Sequence, residues 1–455
     1  MIVLALALVV GCAPARGPRT PPLPPPTARA SDPSLAALLA VPRADDTAYA
    51  RLRHLCDHIG PRPAGSAAYD AAAAWSRDAL LADGLSARLE PLTLTAWERG
   101  EERVALLTPI PESLNVLSLG NSGSADVTAS VVVVRSFDEL GPAVRGKIVL
   151  FDVAMAEGVP THSRYGDAAK FRGRGPSAAA THGAVAALVR SVTTRSLDTP
   201  HTGGTWFAEG VAPIPALAVP TESADRIARL VASGVDVRAR VVTSHRVREG
   251  VPSANVVAEI PGRTPEVVLI GAHLDSWDVG CGAHDDGAGV VHVLEAMRRM
   301  KALGAVPERT VRAVLFSNEE RGLDGGKAYA AAHGDETHAA AIETDLGGGR
   351  PLSWGATADA AQGAWLRAHG GATGLPIATD GGGGADLTPL EEAGVLVVGL
   401  LPDDTHYFDV HHTRADTFDK INRYDLESGA AHLAGLAWAL ASAPDPAPPR
   451  RAAVP

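Results

Sequence analysis

Long hydrophobic runs are scarce in this chain of 455 residues. The longest, the ten residues "MIVLALALVV" at the start, is too short to span a bilayer. Cysteine is scarcer still: three in all, which excludes a disulfide framework. Beyond Cys12 only Cys56 and Cys281 remain, and in an oxidising compartment those two could pair. No run of basic residues interrupts a formal net charge of -11, which argues against nucleic acid as a partner. Charged residues make up 20%, too few for a disordered chain, while 46% apolar content and this length suit two domains around a large core. No repeat of 20 to 50 residues is present, so a solenoid is excluded.

The termini carry signals of their own. An apolar run ending in Gly11-Cys12 matches a signal-peptide core closed by a bacterial lipobox. Residues 1–11 are therefore expected to be a lipoprotein signal peptide, with Cys12 lipidated as the mature N-terminus. Residues 12–38 are Pro-rich and read as a tether, and 443–455 as a Pro-rich tail. The protein is expected to be exported, as a periplasmic or outer-membrane lipoprotein that meets the membrane only through Cys12.

Between these ends two textures alternate. "DDTAYARLRHLCDHIG" and "AAYDAAAAWSRDALLADG" read as helices, each closed by Gly, and "LSARLEPLTLTAW" and "ERVALLTP" as strands. Residues 121–248 hold short β runs such as "ASVVVV", "GKIVLFDV" and "PALAVP" without a dense polar cluster, and read as a β-rich insert acting as lid or spacer. From residue 250 strands and helices alternate: "EVVLIGAHLD", "AGVVHVLEAMRRMKALG", "RTVRAVLFSNEE", "GGKAYAAAHG", "HAAAIETDLGG", "VLVVGLLPDD", "LESGAAHLAGLAWALAS". That rhythm predicts an α/β fold, a mostly parallel mixed sheet with helices on both faces. The discontinuous segments 39–120 and 249–442 would form this domain around the insert.

The chemistry gathers behind the strands of that second half. "GAHLDSWDVGCGAHDDGAG", residues 271–289, places two His and four Asp directly after an apolar run. Carboxylates crowded at the edge of a core repel, and water, a counter-charge or a metal must offset them. His273 and Asp275 follow one strand, Glu319 and Glu320 a second, Asp345 a third. Ligands in open α/β sheets bind at these carboxyl ends. His273 and Asp275, two apart, face one way in extended chain, so Asp275 can fix the imidazole from behind. Asp285 and Asp286 stand at a helix start, where one can cap and the other bridge two cations. In "HHTRADT" the adjacent His411 and His412 should point opposite ways, with one of them serving. Imidazoles and carboxylates together suit zinc.

"HLDSWDVG", "DDGAG", "NEE", "ETD" and "HHTRADT", in this order and spacing, resemble the co-catalytic di-zinc aminopeptidase family. Its plasma glutamate carboxypeptidase (carboxypeptidase Q) branch is the most similar, through "IGPRPAGS", "EPLTLTAWERGEE", "SFDEL", "RGKIV", "RSV" and "HTG" as well. The resemblance covers roughly residues 40–440. It implies two Zn2+ per chain: His273 and Asp345 on one, Glu320 and His412 on the other, Asp285 bridging. Glu319 would be the general base, Asp275 and Asp416 orienting residues, and the insert a protease-associated-like domain. It further implies hydrolysis of dipeptides or of the N-terminal residue of short peptides, and a homodimer. Alternatives on the same fold are an amidohydrolase or cyclase, whose site needs one zinc, and a non-catalytic receptor, which would have lost ligands. Two features depart from the family pattern: His284, read as an exposed side chain, and the glycine density of "TDGGGGAD", residues 379–386.

Overall fold

A computed structural model describes residues 33–41, 45–158, 162–195 and 197–449. Two sheets organise it. The first has nine strands and runs Ser86–Glu98, Arg246–Ile260, Arg309–Phe316, Thr264–His273, His338–Glu343, Val397–Pro402, Pro351–Thr357, Ile377–Ala378, with Asp380–Gly381 also paired to Pro351–Thr357. The four strands from Arg309–Phe316 to Val397–Pro402 are mutually parallel, and antiparallel pairings flank them on both sides.

The central strands are apolar nearly throughout because both faces are covered. Along Thr264–His273 the pleat sends Val268, Ile270 and Ala272 into a core shared with the helices Ala288–Ala302 and Arg423–Ala441. Val267 and Leu269 point the other way, toward Tyr329 of the helix Asp324–His333 and toward Leu387 and Leu390. Gly271 breaks the apolar alternation for space: a Cβ there would lie 2.6 Å from the Phe316 ring.

After Glu98 the chain leaves this sheet and returns at Arg246, directly opposite in register. Between them lies a second sheet of eight strands, from Glu102–Thr108 to Arg238–Thr243 in sequence. The excursion therefore starts earlier than residue 121. "ERVALLTP" belongs to the second sheet, because its alternate residues Val104 and Leu106 enter the core that holds Ala239 and Val241. The segment also carries a helix, His162–Thr181.

Two terminal expectations are corrected. Residues 33–38, assigned to the tether, lie in a helix Pro33–Leu39. Leu35, Leu38 and Leu39 recur at three and four, and Leu38 is buried. Leu35 and Leu39 lie over Gly435, where a Cβ would come 2.7 Å from Leu39 Cδ2. The tail from residue 443 also begins packed: Ala443 is buried, and Arg309 donates to the carbonyls of Leu440, Ala443 and Asp445. The signal peptide, Cys12 and the tether up to residue 32 lie outside the described residues. Cys56 and Cys281 are both buried and unbonded, on neighbouring segments of one core. Among the described residues no helix is long and apolar enough to cross a membrane.

Arg62 ties the first helices to the loop behind Thr264–His273. Fully buried, its guanidinium donates to the carbonyls of Leu274 (2.7 Å), Cys281 (2.5 Å) and Gly282 (3.1 Å). Arg62→Met would fill the space and strand three buried acceptors. Each unmade bond costs roughly 1–3 kcal/mol, so urea unfolding should show a loss of about 3 kcal/mol or more. An unmoved midpoint would mean that water replaces the guanidinium.

Candidate metal centre

From Thr264–His273 the chain passes through a helix to its neighbour Arg309–Phe316, then crosses to His338–Glu343 on the opposite side. Winding reverses beside the carboxyl end of Thr264–His273, where an open α/β sheet leaves a crevice. A cavity of about 890 Å³ opens there, lined by Asp285, Glu319, Glu320, Asp345, His411 and His412 among others. His273 ends its strand and is buried beneath them.

The Asp285 carboxylate lies between two clusters. On one side His273 Nε2 is 3.1 Å from its Oδ1 and 3.2 Å from Asp345 Oδ1. On the other, His412 Nε2 is 3.0 Å from its Oδ2 and 3.1 Å from Glu320 Oε2. Donor atoms around one tetrahedral zinc stand roughly 3.3 Å apart. The donor atoms of His273, Asp285 and Asp345 all lie within 4.8 Å of one another, as do those of Asp285, His411 and His412, while Glu320 reaches the second group through His412.

The imidazole tautomers sharpen the point. His273 Nδ1 lies 3.0 Å from the carbonyl of Asp275, and His412 Nδ1 lies 3.1 Å from the carbonyl of Thr202. A carbonyl only accepts, so each Nδ1 carries the hydrogen and each neutral ring turns the Nε2 lone pair toward carboxylates. Acceptors then face acceptors. Asp285 Oδ2 and Glu320 Oε1 are buried with no hydrogen-bond partner. Burial opposes protonation of either imidazole, yet Asp345 beside His273 and Glu320 beside His412 raise both well above the ordinary range. Burial, reinforced by Asp345, Glu320 and Asp285, raises the Glu319 carboxyl well above its usual value. Extra protons relieve such crowding, and so does a cation; the donor set fits zinc.

Local structure holds Asp285 in place. Its own amide and that of His284 donate to the Asp416 carboxylate at 3.1 and 2.8 Å. Asp286 turns away and accepts from Gly289 N–H at 3.0 Å at the start of Ala288–Ala302. A Cβ on Gly289 would come within 2.3 Å of that carboxylate and 2.1 Å of the Thr344 carbonyl.

Three expectations change. Asp275 orients His273 through its main-chain carbonyl. Its carboxylate stands 3.8 Å from the ring and instead takes the Glu319 N–H at 3.1 Å. His411 and His412 do not point opposite ways. His412 adopts φ +61°, which breaks the extended alternation, and the rings stack 3.6 Å apart. His411 Nε2 thus also faces Asp285 Oδ2, at 3.4 Å. His284 is not exposed: half-buried against Tyr407, its Nδ1 accepts from Gly348 N–H, and burial lowers it to about 4.

The glycines of "TDGGGGAD" answer to space. A Cβ on Gly384 would fall 1.8 Å from the Glu343 carboxyl carbon, and one on Gly382 would fall 2.4 Å from the backbone of Gly355. Glu343 itself was legible only as a neighbour of Asp345. It lines the cavity with both oxygens unbonded, and burial with Asp345 nearby pushes it up to about 8. The second sheet does more than space or cover. Tyr165, Arg172 and Trp206 wall the cavity, and Thr202 N–H donates back to the His412 carbonyl at 3.0 Å. Thr202 was legible only inside the family-like "HTG", and no periodicity or cluster marked Tyr165, Arg172 or Trp206.

Paired carboxylate–imidazole clusters sharing one carboxylate, at the mouth of a parallel sheet, define a metal-dependent hydrolase. Residues 255–436 match Peptidase family M28. Carboxypeptidase Q of Bos taurus is 34% identical over 422 residues, 90% of this chain and 88% of that protein. The Homo sapiens protein of the same name is 34% identical, over 88% and 86%. Among solved structures, the Peptidase M28 precursor of Shewanella amazonensis SB2B superposes with a TM-score of 0.87 at 34% identity, over 92% of this chain and 98% of that one. A zinc aminopeptidase of Bacillus subtilis shares the fold at 18% identity and a TM-score of 0.65, over 87% and 95%. The chain belongs to Peptidase family M28.

Asp416 touches no candidate ligand side chain but fixes the backbone of Asp285 from behind. Removing such a support typically weakens metal binding ~10–100-fold. Asp416→Ala should therefore lose zinc to a competing chelator at correspondingly lower chelator concentration. Wild-type retention would mean that the loop holds its shape without those two hydrogen bonds.

Proposed function

We propose that the protein is a di-zinc exopeptidase that hydrolyses dipeptides or removes the N-terminal residue of short peptides. One observation carries this reading: Asp285 presents one oxygen to each cluster, while the Glu319 carboxylate lines the same cavity outside both. His273 and Asp345 would hold one zinc, His412 and Glu320 the other, and Asp285 both. A zinc pair supplies an acidified water and polarises the scissile carbonyl.

The chain's own residues supply the rest. Asp275 Oδ1, by accepting the Glu319 N–H, fixes the start of the short helix Glu319–Gly322 and aims the two glutamates differently. Glu319 takes the proton of the attacking water and returns it to the departing amine nitrogen. The carbonyls of Asp275 and Thr202 keep His273 and His412 in the tautomer that presents Nε2. The apolar run before Gly11-Cys12 supports an exported, lipid-anchored protein. Cys12→Ala should then release it from the membrane fraction or stall its processing; unmodified cytosolic protein with Met1 intact would refute the anchor.

Elemental analysis should find about two zinc per chain. One zinc with full activity would favour the amidohydrolase or cyclase chemistry instead. Glu319→Gln keeps the outline and removes the proton acceptor, so it should retain both metals and lose roughly 10²–10⁴-fold in kcat. Glu320→Ala should instead shed one zinc and recover part of its activity when zinc is in excess. The opposite pattern would exchange the two roles, and unchanged turnover in both variants would place the chemistry elsewhere.

A further inference from the structure

The cavity wall contains one fixed positive charge among the described residues. Arg172 shares that lining with six carboxylates, those of Asp285, Glu319, Glu320, Glu343, Asp345 and Asp380, and no other Arg or Lys of the described residues lines the space. It sits within His162–Thr181 and is only 7% exposed. The other deeply buried arginines are better provided. Arg62 fills its guanidinium with three carbonyls, Arg321 reaches those of Trp97 and Ala64, and Arg312 pairs with Glu259 and Glu336.

Among the described residues Arg172 has one clear acceptor, the Thr202 carbonyl, 3.3 Å from Nη1. Its Nε is buried without a partner. Nη1 also lies 3.4 Å from His412 Nδ1, but that nitrogen's hydrogen is committed to Thr202, so donor meets donor there. The guanidinium rests over the Tyr165 ring at 5.4 Å, and the lack of a side chain at Gly203 leaves it room, since a Cβ would fall 2.3 Å from Arg172 Cζ. A buried guanidinium with open donors is costly unless an acceptor arrives. A planar carboxylate matches its fork.

We infer that Arg172 is a specificity-determining residue that receives the free carboxylate of the substrate. This rests on the exopeptidase reading and deepens it. Arg172 adjoins His412, on the Glu320 side of Asp285, whereas the Asp345 carboxylate lies beside His273 on the other side. A dipeptide spanning Asp285 would thus set its ammonium against acid and its carboxylate against Arg172. In a tripeptide the same position holds a neutral amide.

The test compares zinc-loaded wild type, Arg172→Met and Arg172→Lys on an unblocked dipeptide, its C-terminal amide and the tripeptide, with metal content checked in each. Wild type should favour the free carboxylate over the amide by ~10–100-fold in kcat/KM, chiefly through KM, as for a hydrogen bond to a charged group. Arg172→Met should bring that ratio near one, and Arg172→Lys should restore part of it. A purely structural Arg172 would lower all three substrates together and leave the ratio intact, which overturns the assignment; so does a wild-type ratio near one. If wild type cleaves none of the peptides, the exopeptidase reading fails separately. The uncleaved peptides then serve as stable ligands for calorimetry. A preference for the free carboxylate that vanishes in Arg172→Met upholds the assignment, and no binding or no preference overturns it.

Discussion

Two main-chain carbonyls, of Asp275 and Thr202, govern this site. By accepting the Nδ1 hydrogens of His273 and His412 they leave both Nε2 lone pairs aimed at Asp285. Bare of cations, the arrangement is a knot of acceptors in a buried place, held against its own repulsion. The surrounding fold supplies the restraint. Arg62 grips three carbonyls of the loop behind His273, Asp416 grips the amides of His284 and Asp285, and the parallel strands deliver the remaining side chains already spaced. Electrostatic discomfort in the polypeptide is the counterpart of affinity for a divalent ion.

The same frugality with space shapes the substrate side. Gly382 and Gly384 let a loop lie against Gly355 and Glu343 at distances that no side chain permits. The cavity is therefore bounded in part by backbone and in part by Tyr165, Arg172 and Trp206 of the segment that carries the second sheet. Acidic side chains crowd the lining, and Arg172 stands beside His412.

How much of this was legible in the sequence depended on whether the information was local. Strand-end placement of His273, Glu319, Glu320 and Asp345 followed from alternation of elements, since burial on both faces writes an unbroken apolar run and the next polar residue marks its end. The bridging position of Asp285 came with the resemblance rather than from spacing. What escaped was non-local. Arg172 and Thr202 lie more than two hundred residues from His412; Thr202 stood in the family-like "HTG", but nothing near either announces the meeting. The relation between His411 and His412 was misjudged because one left-handed residue cancels the alternation assumed for extended chain. Residues 33–39 were hidden by the prolines before them, although Leu35, Leu38 and Leu39 already carried a helical period.

Thr202 and His412 exchange main chain and ring: the amide of the first bonds the carbonyl of the second, and the imidazole of the second bonds the carbonyl of the first. The two sheets thus share one structural clasp at the reacting centre. A β-rich cassette between Glu98 and Arg246 could be exchanged or trimmed at its far rim without touching that clasp. It could not be excised whole, because the imidazole would lose the partner that fixes its proton. Divergence of the second sheet is thus constrained from within the cavity that it helps to enclose.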